Sequence, residues 1–306
     1  LKNWAAYWLE MLKTTIRLWL DAQAFIHAAA LAFFTVFSIA PIMIVVVSVV
    51  GLVLGEPAAQ GQLAQQLDAV IGAKAASAVQ TAIAASRIKQ SGILPTLAGI
   101  AAMLLGATTV FAQLQISLNS IWGVVPRPTL NSLSSYIKTR VLSLTVVLAI
   151  GFVMLVSLLL SVIVRAVVVF AQDWLPIPGF MLLGLDSVIS LFVVTLLFAA
   201  IFRLLPDVLL DWRDVWLGAF VTALLFSLGK GLIAFYLSTT ATASTYGAAG
   251  SLVLLLMWVN YSSLILLFGA AFTRANVQLR GLTVRPRSTA VRVQHVLQDA
   301  DSKSPN

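Results

Sequence analysis

The sequence predicts an all-α, polytopic membrane protein: a bundle of six transmembrane helices with an N-terminal interfacial helix and a helical first outer loop. Three observations predict it. Only 10% of the residues are charged and 60% are hydrophobic, against about 25% charged in soluble domains, and the mean hydropathy is +0.99. Apolar runs that approach or exceed the roughly 20 residues needed to cross a bilayer core as helix lie at 28–54, 93–114, 141–171, 181–205, 215–237 and 249–273. Fourteen of the 19 Lys and Arg residues fall in alternate connecting segments, which is the positive-inside pattern.

The elements follow in chain order. In "LKNWAAYWLEMLKTTIRLWLDAQAFIH", Glu10, Lys13, Arg17 and Asp21 recur every three or four positions while Trp4, Trp8, Leu12 and Trp19 fall elsewhere. That pattern suits a helix lying in the membrane interface, where Trp is favoured. The stretch is too polar and aromatic for a signal peptide and is expected to be mature sequence. After the first run, the loop 55–92 is rich in Ala and Gln, with Leu63, Leu67, Val70, Ile71, Val79 and Ile83 at helical spacing. One or two amphipathic helices are expected there, either over the outer mouth of the bundle or resting on headgroups as a spacer. The run 141–171 exceeds one bilayer thickness and must tilt or emerge at an end.

Charge sets the direction. Lys2, Lys13 and Arg17 precede the first run, Arg127, Lys138 and Arg140 lie in the second loop, Arg203 and Arg213 in the fourth, and six more from Arg274 to Lys303 in the tail. The opposite side has Lys74, Arg87 and Lys89 only. Both termini are therefore expected in the cytoplasm, with "STTATASTYGAA" facing outward. Residues 281–306 are expected to be a basic cytoplasmic tail that frays. Its arginines mark the inner face rather than a nucleic-acid patch, since no interleaved aromatics accompany them. No residue match supports an inverted repeat between the two halves.

Composition also removes functions. Without cysteine there are no disulfides, thiol nucleophiles or Cys-ligated zinc. "SLGKGL" lacks the upstream Gly and the Ser/Thr of a phosphate-binding loop, so no nucleotide cofactor is expected, nor any other. Nuclease chemistry needs acids and bases or carboxylate-bound metal, and the chain offers His27 and His295, with Asp207, Asp211 and Asp214 as its one acidic knot. Helix capping accounts for that knot. No catalytic or metal-ligating residue is assigned.

Binding residues are sought where polar groups interrupt apolar helix. Lys230, between Gly229 and Gly231, lies seven residues before Leu237, about 10 Å below the outer end of its helix. It either snorkels to the interface or faces the bundle interior, where flanking glycines admit a close neighbour. Arg165 and Asp186 flank the loop "AQDWLPIPGF" and are placed to form a bridge, as a clamp or as the rim of an outer pocket; Asp186 with Lys230 is the competing pair. "TYGAAG" is expected to be an outer turn opening the sixth helix, whose free N–H groups attract anions. Lys230, Tyr236, Tyr246, Gly247, Asn260, Asp186 and Arg165 are thus the candidate substrate-binding residues. Two stripes, His27, Ser38 and Pro41 on the first helix with Thr108, Gln115 and Asn119 on the second, either line a pathway or hydrogen-bond between helices.

Several blocks together resemble a known family. "AAALAFFTVFSIAPIMIVVVSVVG" at 28–51, "LNSIWGV" at 118–124, "IFRLLPD" at 201–207, "GAFVTALLFSLGKGLIAFYL" at 218–237 and "STYGAAGSLVLLLMWVNYSSLILLFGAAFTRA" at 244–275 are similar in order and spacing to the YihY/BrkB family of bacterial inner-membrane proteins. The similarity spans about residues 10–280. It implies a six-helix inner-membrane protein; members carry an old ribonuclease label and proposals of export or lipid handling. Where members often have Tyr in "LWLY", this chain has "MWVN", with Asn260 at that position. The expected function is a transporter or exporter of an anionic or amphiphilic solute or lipid, with membrane lipids as partners. A non-transporting membrane scaffold is the alternative, and a ribonuclease a distant one that the lack of catalytic residues disfavours.

Overall fold

The computed structural model describes residues 2–38, 93–127, 179–239 and 248–293. Helices dominate: α1 Lys2–Asp21, α2 over 24–38, α3 Ile93–Trp122, α4 Gly179–Leu204, α5 Trp212–Thr239 and α6 Ala248–Leu279. Four short strands accompany them, β1 Val124–Pro126, β2 Val208–Leu209, β3 Arg285–Pro286 and β4 Ala290–Arg292. The runs expected at 93–114, 181–205, 215–237 and 249–273 coincide with α3 to α6. Of the run expected at 28–54, α2 holds the part up to residue 38; the remainder, the run 141–171, the loop 55–92, residues 240–247 of the outer turn and residues 294–306 lie outside the described residues. Among the described residues, Leu255–Leu279 is by itself long and apolar enough to cross a membrane, whereas Ala5–Asp21 and Ala24–Ser38 pass together as a pair bent by 60°.

That bend has a local cause. At the end of α1 the Gln23 N–H turns back to the Leu20 carbonyl at 2.9 Å, and Gln23 itself adopts φ +52°. A left-handed residue cannot continue a right-handed helix, so the chain must restart in a new direction. α1 then lies along α6. Met11 and Thr15 are fully buried, Trp8 stacks on Phe272 at 6.5 Å, and Trp19 meets Phe268 edge-on at 6.1 Å. Its opposite face leaves Leu9, Leu12, Ile16 and Leu20 exposed, an apolar stripe beside Lys13 and Arg17 that suits an interface.

α5 and α6 are locked by a repeated motif. Thr222 donates to the Gly218 carbonyl four residues back (2.6 Å), and Thr273 donates likewise to Gly269 (2.8 Å). Each threonine hydroxyl fills the space of the other helix's glycine: a Cβ on Gly218 would stand 1.9 Å from Thr273 Oγ1, and one on Gly269 1.7 Å from Thr222 Oγ1. Because the hydroxyl proton is spent within its own turn, the group can be buried without an unpaired donor. The antiparallel register continues to Gly229, where a Cβ would meet the Tyr261 ring at 2.4 Å.

The two sheets gather distant segments at one end of the bundle. β1, in the second connecting segment, pairs antiparallel with β4 (Val125 opposite Val291), and β2, in the fourth, pairs antiparallel with β3 (Leu209 opposite Arg285). The chain after Arg280, expected to fray, therefore forms strands up to Arg292. Its turn is set by Gly281 at φ +71°, with the Gly281 N–H on the Gln278 carbonyl (2.9 Å) and the Leu282 N–H on that of Val277 (3.1 Å). These two bonds form the Schellman arrangement, which ends α6 and sends the chain back along the bundle end. Val284 and Ala290 are buried as a result. Polar composition hid this, because the strands are short and their partners are remote.

Candidate functional site

Asp207 organises the polar interior at this end. It follows α4 in the turn "LLPDVL" and is 8% exposed, and α3 holds it on two sides. Asn119 Nδ2 donates to Asp207 Oδ2 at 2.8 Å and Gln115 Nε2 to the same oxygen at 3.2 Å, while the Asp207 N–H donates to Asn119 Oδ1 at 2.8 Å. The Arg287 N–H then donates to the Asp207 carbonyl at 2.9 Å. One loop residue thus joins α3, the end of α4 and the returning tail. Gln115 and Asn119 meet it together because four residues bring side chains round to one helix face.

The acidic knot divides by position. Asp211 and Asp214 serve the start of α5: the Asp214 N–H donates to the Asp211 carbonyl at 3.0 Å, and the Asp211 N–H reaches Asp214 Oδ2 at 3.4 Å. Asp214 also pairs with Arg280 at 3.0 Å. Capping explains these two residues, whereas Asp207 serves tertiary structure, a role that its place in the sequence did not separate from theirs.

A second contact joins α2 to α3. Ser117 Oγ donates to the Gln113 carbonyl at 2.8 Å and stands 3.2 Å from His27 Nδ1. With the hydroxyl proton committed to the carbonyl, Nδ1 is the donor to Ser117. Further along α3, Arg274 from α6 donates to the Ile121 carbonyl at the helix end and packs against Gly123. A cation suits a helix C-terminus.

A cavity of 830 Å³ opens on the same end, between the α4–α5 turn and the returning tail. Arg203, Arg285 and Arg287 line it together with Leu204, Leu209 and Leu282. The Arg203 guanidinium lies 4.4 Å from the Trp212 ring centroid, and Arg287 donates to the last carbonyls of α4, Arg203 (3.3 Å) and Leu204 (3.4 Å). Charge and apolar surface thus share one concavity.

A family model described as Virulence factor BrkB matches residues 15–292. The chain belongs to the BrkB family. It is similar to a UPF0761 membrane protein of Alcanivorax borkumensis, 29% identical over 255 residues that make up 82% of this chain and 56% of that protein. It is also similar to the UPF0761 membrane protein MS0032 of Mannheimia succiniciproducens, 29% identical over 178 residues, 57% and 58% of the two chains. A ribonuclease-like protein of Bacillus subtilis, YfkH, is 29% identical over 175 residues, 56% of this chain and 62% of the relative. The matches span about half the length of these curated relatives. No solved structure matches the chain. The family and the relatives' names establish a membrane protein.

Within this BrkB chain, the sequence candidates are distributed as follows. Thr108, Gln115, Asn119 and Ser38 are buried, and His27 is half-buried beside Ser117. Asn260 is half-buried on α6, next to Tyr261. Lys230, Tyr236 and Asp186 belong to helices α5 and α4, with side chains outside the described residues, as are Arg165, Pro41, Tyr246 and Gly247 altogether. The bridges expected between Arg165, Asp186 and Lys230 therefore also lie outside them. Of the two glycines beside Lys230, Gly229 meets Tyr261 of α6 whereas Gly231 has open space. Successive residues turn by about 100° on a helix, so glycines two apart cannot both admit one neighbour. The register of the α5–α6 pair sets position 230 level with 260 and 261. Arg203, Arg285 and Arg287 were counted in the sequence for topology alone; what brings them together is pairing between segments about 80 residues apart.

Proposed function

We propose that this chain is a six-span inner-membrane transporter or exporter of an anionic or amphiphilic solute, with both termini in the cytoplasm. The observation that carries the reading is the file Thr108, Gln115 and Asn119 on one face of α3. These polar side chains are turned into a bundle whose outside carries Phe37, Phe192, Leu228 and Leu232, each more than half exposed. The file ends at Asp207, one residue from the wall of the arginine-lined cavity. Polar groups in a membrane bundle are costly unless satisfied, and they mark routes through it. The topology draws support from the pairing of β1 with β4 and of β2 with β3, which joins the second segment, the fourth and the tail, the segments that the Lys and Arg count assigns to one side.

Reconstitution into liposomes tests the reading, with a panel of organic anions and labelled lipids offered to the protein and to Gln115→Leu. Movement of at least one of them, slowed about tenfold or more in the variant, is the expected result. A specific observation favours a second reading, a non-transporting scaffold: both amides of the file already end on Asp207, and the glycine–threonine lock closes α5 on α6. No movement of any probe would leave the scaffold ahead. The ribonuclease-like name of YfkH finds little to rest on here, because Asp207 is held by α3 and Asp211 and Asp214 cap α5.

A further inference from the structure

We infer that the 830 Å³ cavity between the α4–α5 turn and the returning tail is a binding site for the headgroup of an anionic phospholipid. Charge comes first. Among the described residues, Arg203, Arg285 and Arg287 form no ion pair, while of the two carboxylates in the wall Asp214 is neutralised by Arg280 and Asp211 lies at the positive start of α5. The concavity thus presents three guanidinium groups against one carboxylate, Asp211, that no arginine pairs. Trp212 holds the flat face of Arg203, which leaves its edge N–H groups free for the paired contacts that planar guanidinium makes with phosphate oxygens. Arg287 spends part of its donor capacity on the end of α4, and Arg285 projects from the exposed strand β3.

The rim selects an amphiphile over a free anion. Leu204, Leu209 and Leu282 are 45%, 60% and 44% exposed at the mouth. In a membrane protein, leucines left open beside an arginine cluster have acyl chains as their natural cover. A pocket of this size is filled by a small organic molecule or a lipid headgroup, whereas inorganic phosphate would satisfy the arginines and leave the leucines bare. The site adjoins the end of the polar file at Asp207 but shares none of its residues. It does not depend on transport, since lipid retention is an equilibrium property of the protein at rest.

The test uses the full chain purified in an uncharged detergent, titrated with phosphatidylglycerol, with phosphatidylcholine and with inorganic phosphate, and bound lipid counted by native mass spectrometry. Phosphatidylglycerol should bind about tenfold or more tightly than phosphatidylcholine. Arg285→Glu, on an exposed strand where folding is least at risk, should remove most of that preference. Arg203→Gln should weaken binding about tenfold while Arg203→Lys, charged but without the planar fork, falls between; thermal midpoints of all three variants separate binding from unfolding. Equal affinity for the two lipids, or an unchanged preference in a folded Arg285→Glu variant, overturns the proposal. Full displacement by an equal concentration of inorganic phosphate also overturns it, since the site would then belong to the free ion. Because no gradient or flux enters the measurement, its outcome is independent of the liposome assay.

Discussion

Replacing Asp207 by Ala would leave the amides of Gln115 and Asn119 inside the bundle without their common acceptor. Each buried donor left unpaired costs about 1–3 kcal/mol, so Asp207→Ala should lower stability by roughly 3 kcal/mol or more. Asp207→Asn, whose carbonyl can still accept from both amides, should lose only about 1 kcal/mol. Unfolding in detergent measures both, and combining Asp207→Ala with Asn119→Ala should cost less than the sum of the single changes, because the two residues act as one unit. Additive losses would dissolve that unit. Gln23 poses the complementary case of a backbone conformation: at φ +52° it pays the left-handed penalty of roughly 1–2 kcal/mol. Gln23→Gly should be tolerated, whereas Gln23→Val should lower the thermal midpoint and loosen the α1–α2 bend. Equal midpoints for the two would show that the bend has another cause. Both residues stood in plain view in the sequence, yet nothing local distinguished Asp207 from two neighbouring aspartates or Gln23 from any polar helix residue.

At the scale of elements, the α5–α6 lock rests on "GAFVT" and "GAAFT", two copies of one spacing that place a glycine and a threonine on the same helix face. A Cβ on Gly269 would meet Thr222 Oγ1 at 1.7 Å and Phe202 at 3.1 Å, so the neighbours cannot yield by small shifts. Gly269→Ala should therefore destabilise by about 2–3 kcal/mol, the upper part of the range for overpacking. Thr222→Gly in the same chain should restore part of the loss by returning the space. Failure of Thr222→Gly to rescue, seen as no recovery of the unfolding midpoint, would place the strain elsewhere. Helices were legible as apolar runs, and α3 to α6 cover four of the six expected. The lock was not, because a glycine four residues from a threonine acquires meaning only when a second such pair lies opposite in antiparallel register.

For the whole molecule, the pairing of β1 with β4 and of β2 with β3 ties three segments to one end, as the proposed six-span arrangement requires of loops on one side. Cysteines introduced at Ser244 and at Ser288, the latter on the exposed turn between β3 and β4, should react with a membrane-impermeant thiol reagent from opposite sides of the membrane. α6 alone separates the two positions, so labelling from one side would falsify the six-span arrangement. Ser288 should share its side with a cysteine at Arg127, whose N–H bonds to the Thr289 carbonyl at 2.8 Å.

The sequence by itself determined the solvent and the class of this protein. Low charge and long apolar runs require lipid and helix, and the ordered blocks from residue 28 to 275 placed the chain beside the BrkB family before any contact was known. These are properties of composition and local spacing, which a linear string carries in full. Tertiary structure decided which polar residues meet. Asn119 and Asp207 are 88 positions apart, and Arg274 reaches Ile121 across 153. A side chain's period tells which face it shares on its own helix, but not which helix comes to that face; the arginine-lined cavity exists only because the chain after Gly281 turns back to pair with strands laid down far earlier.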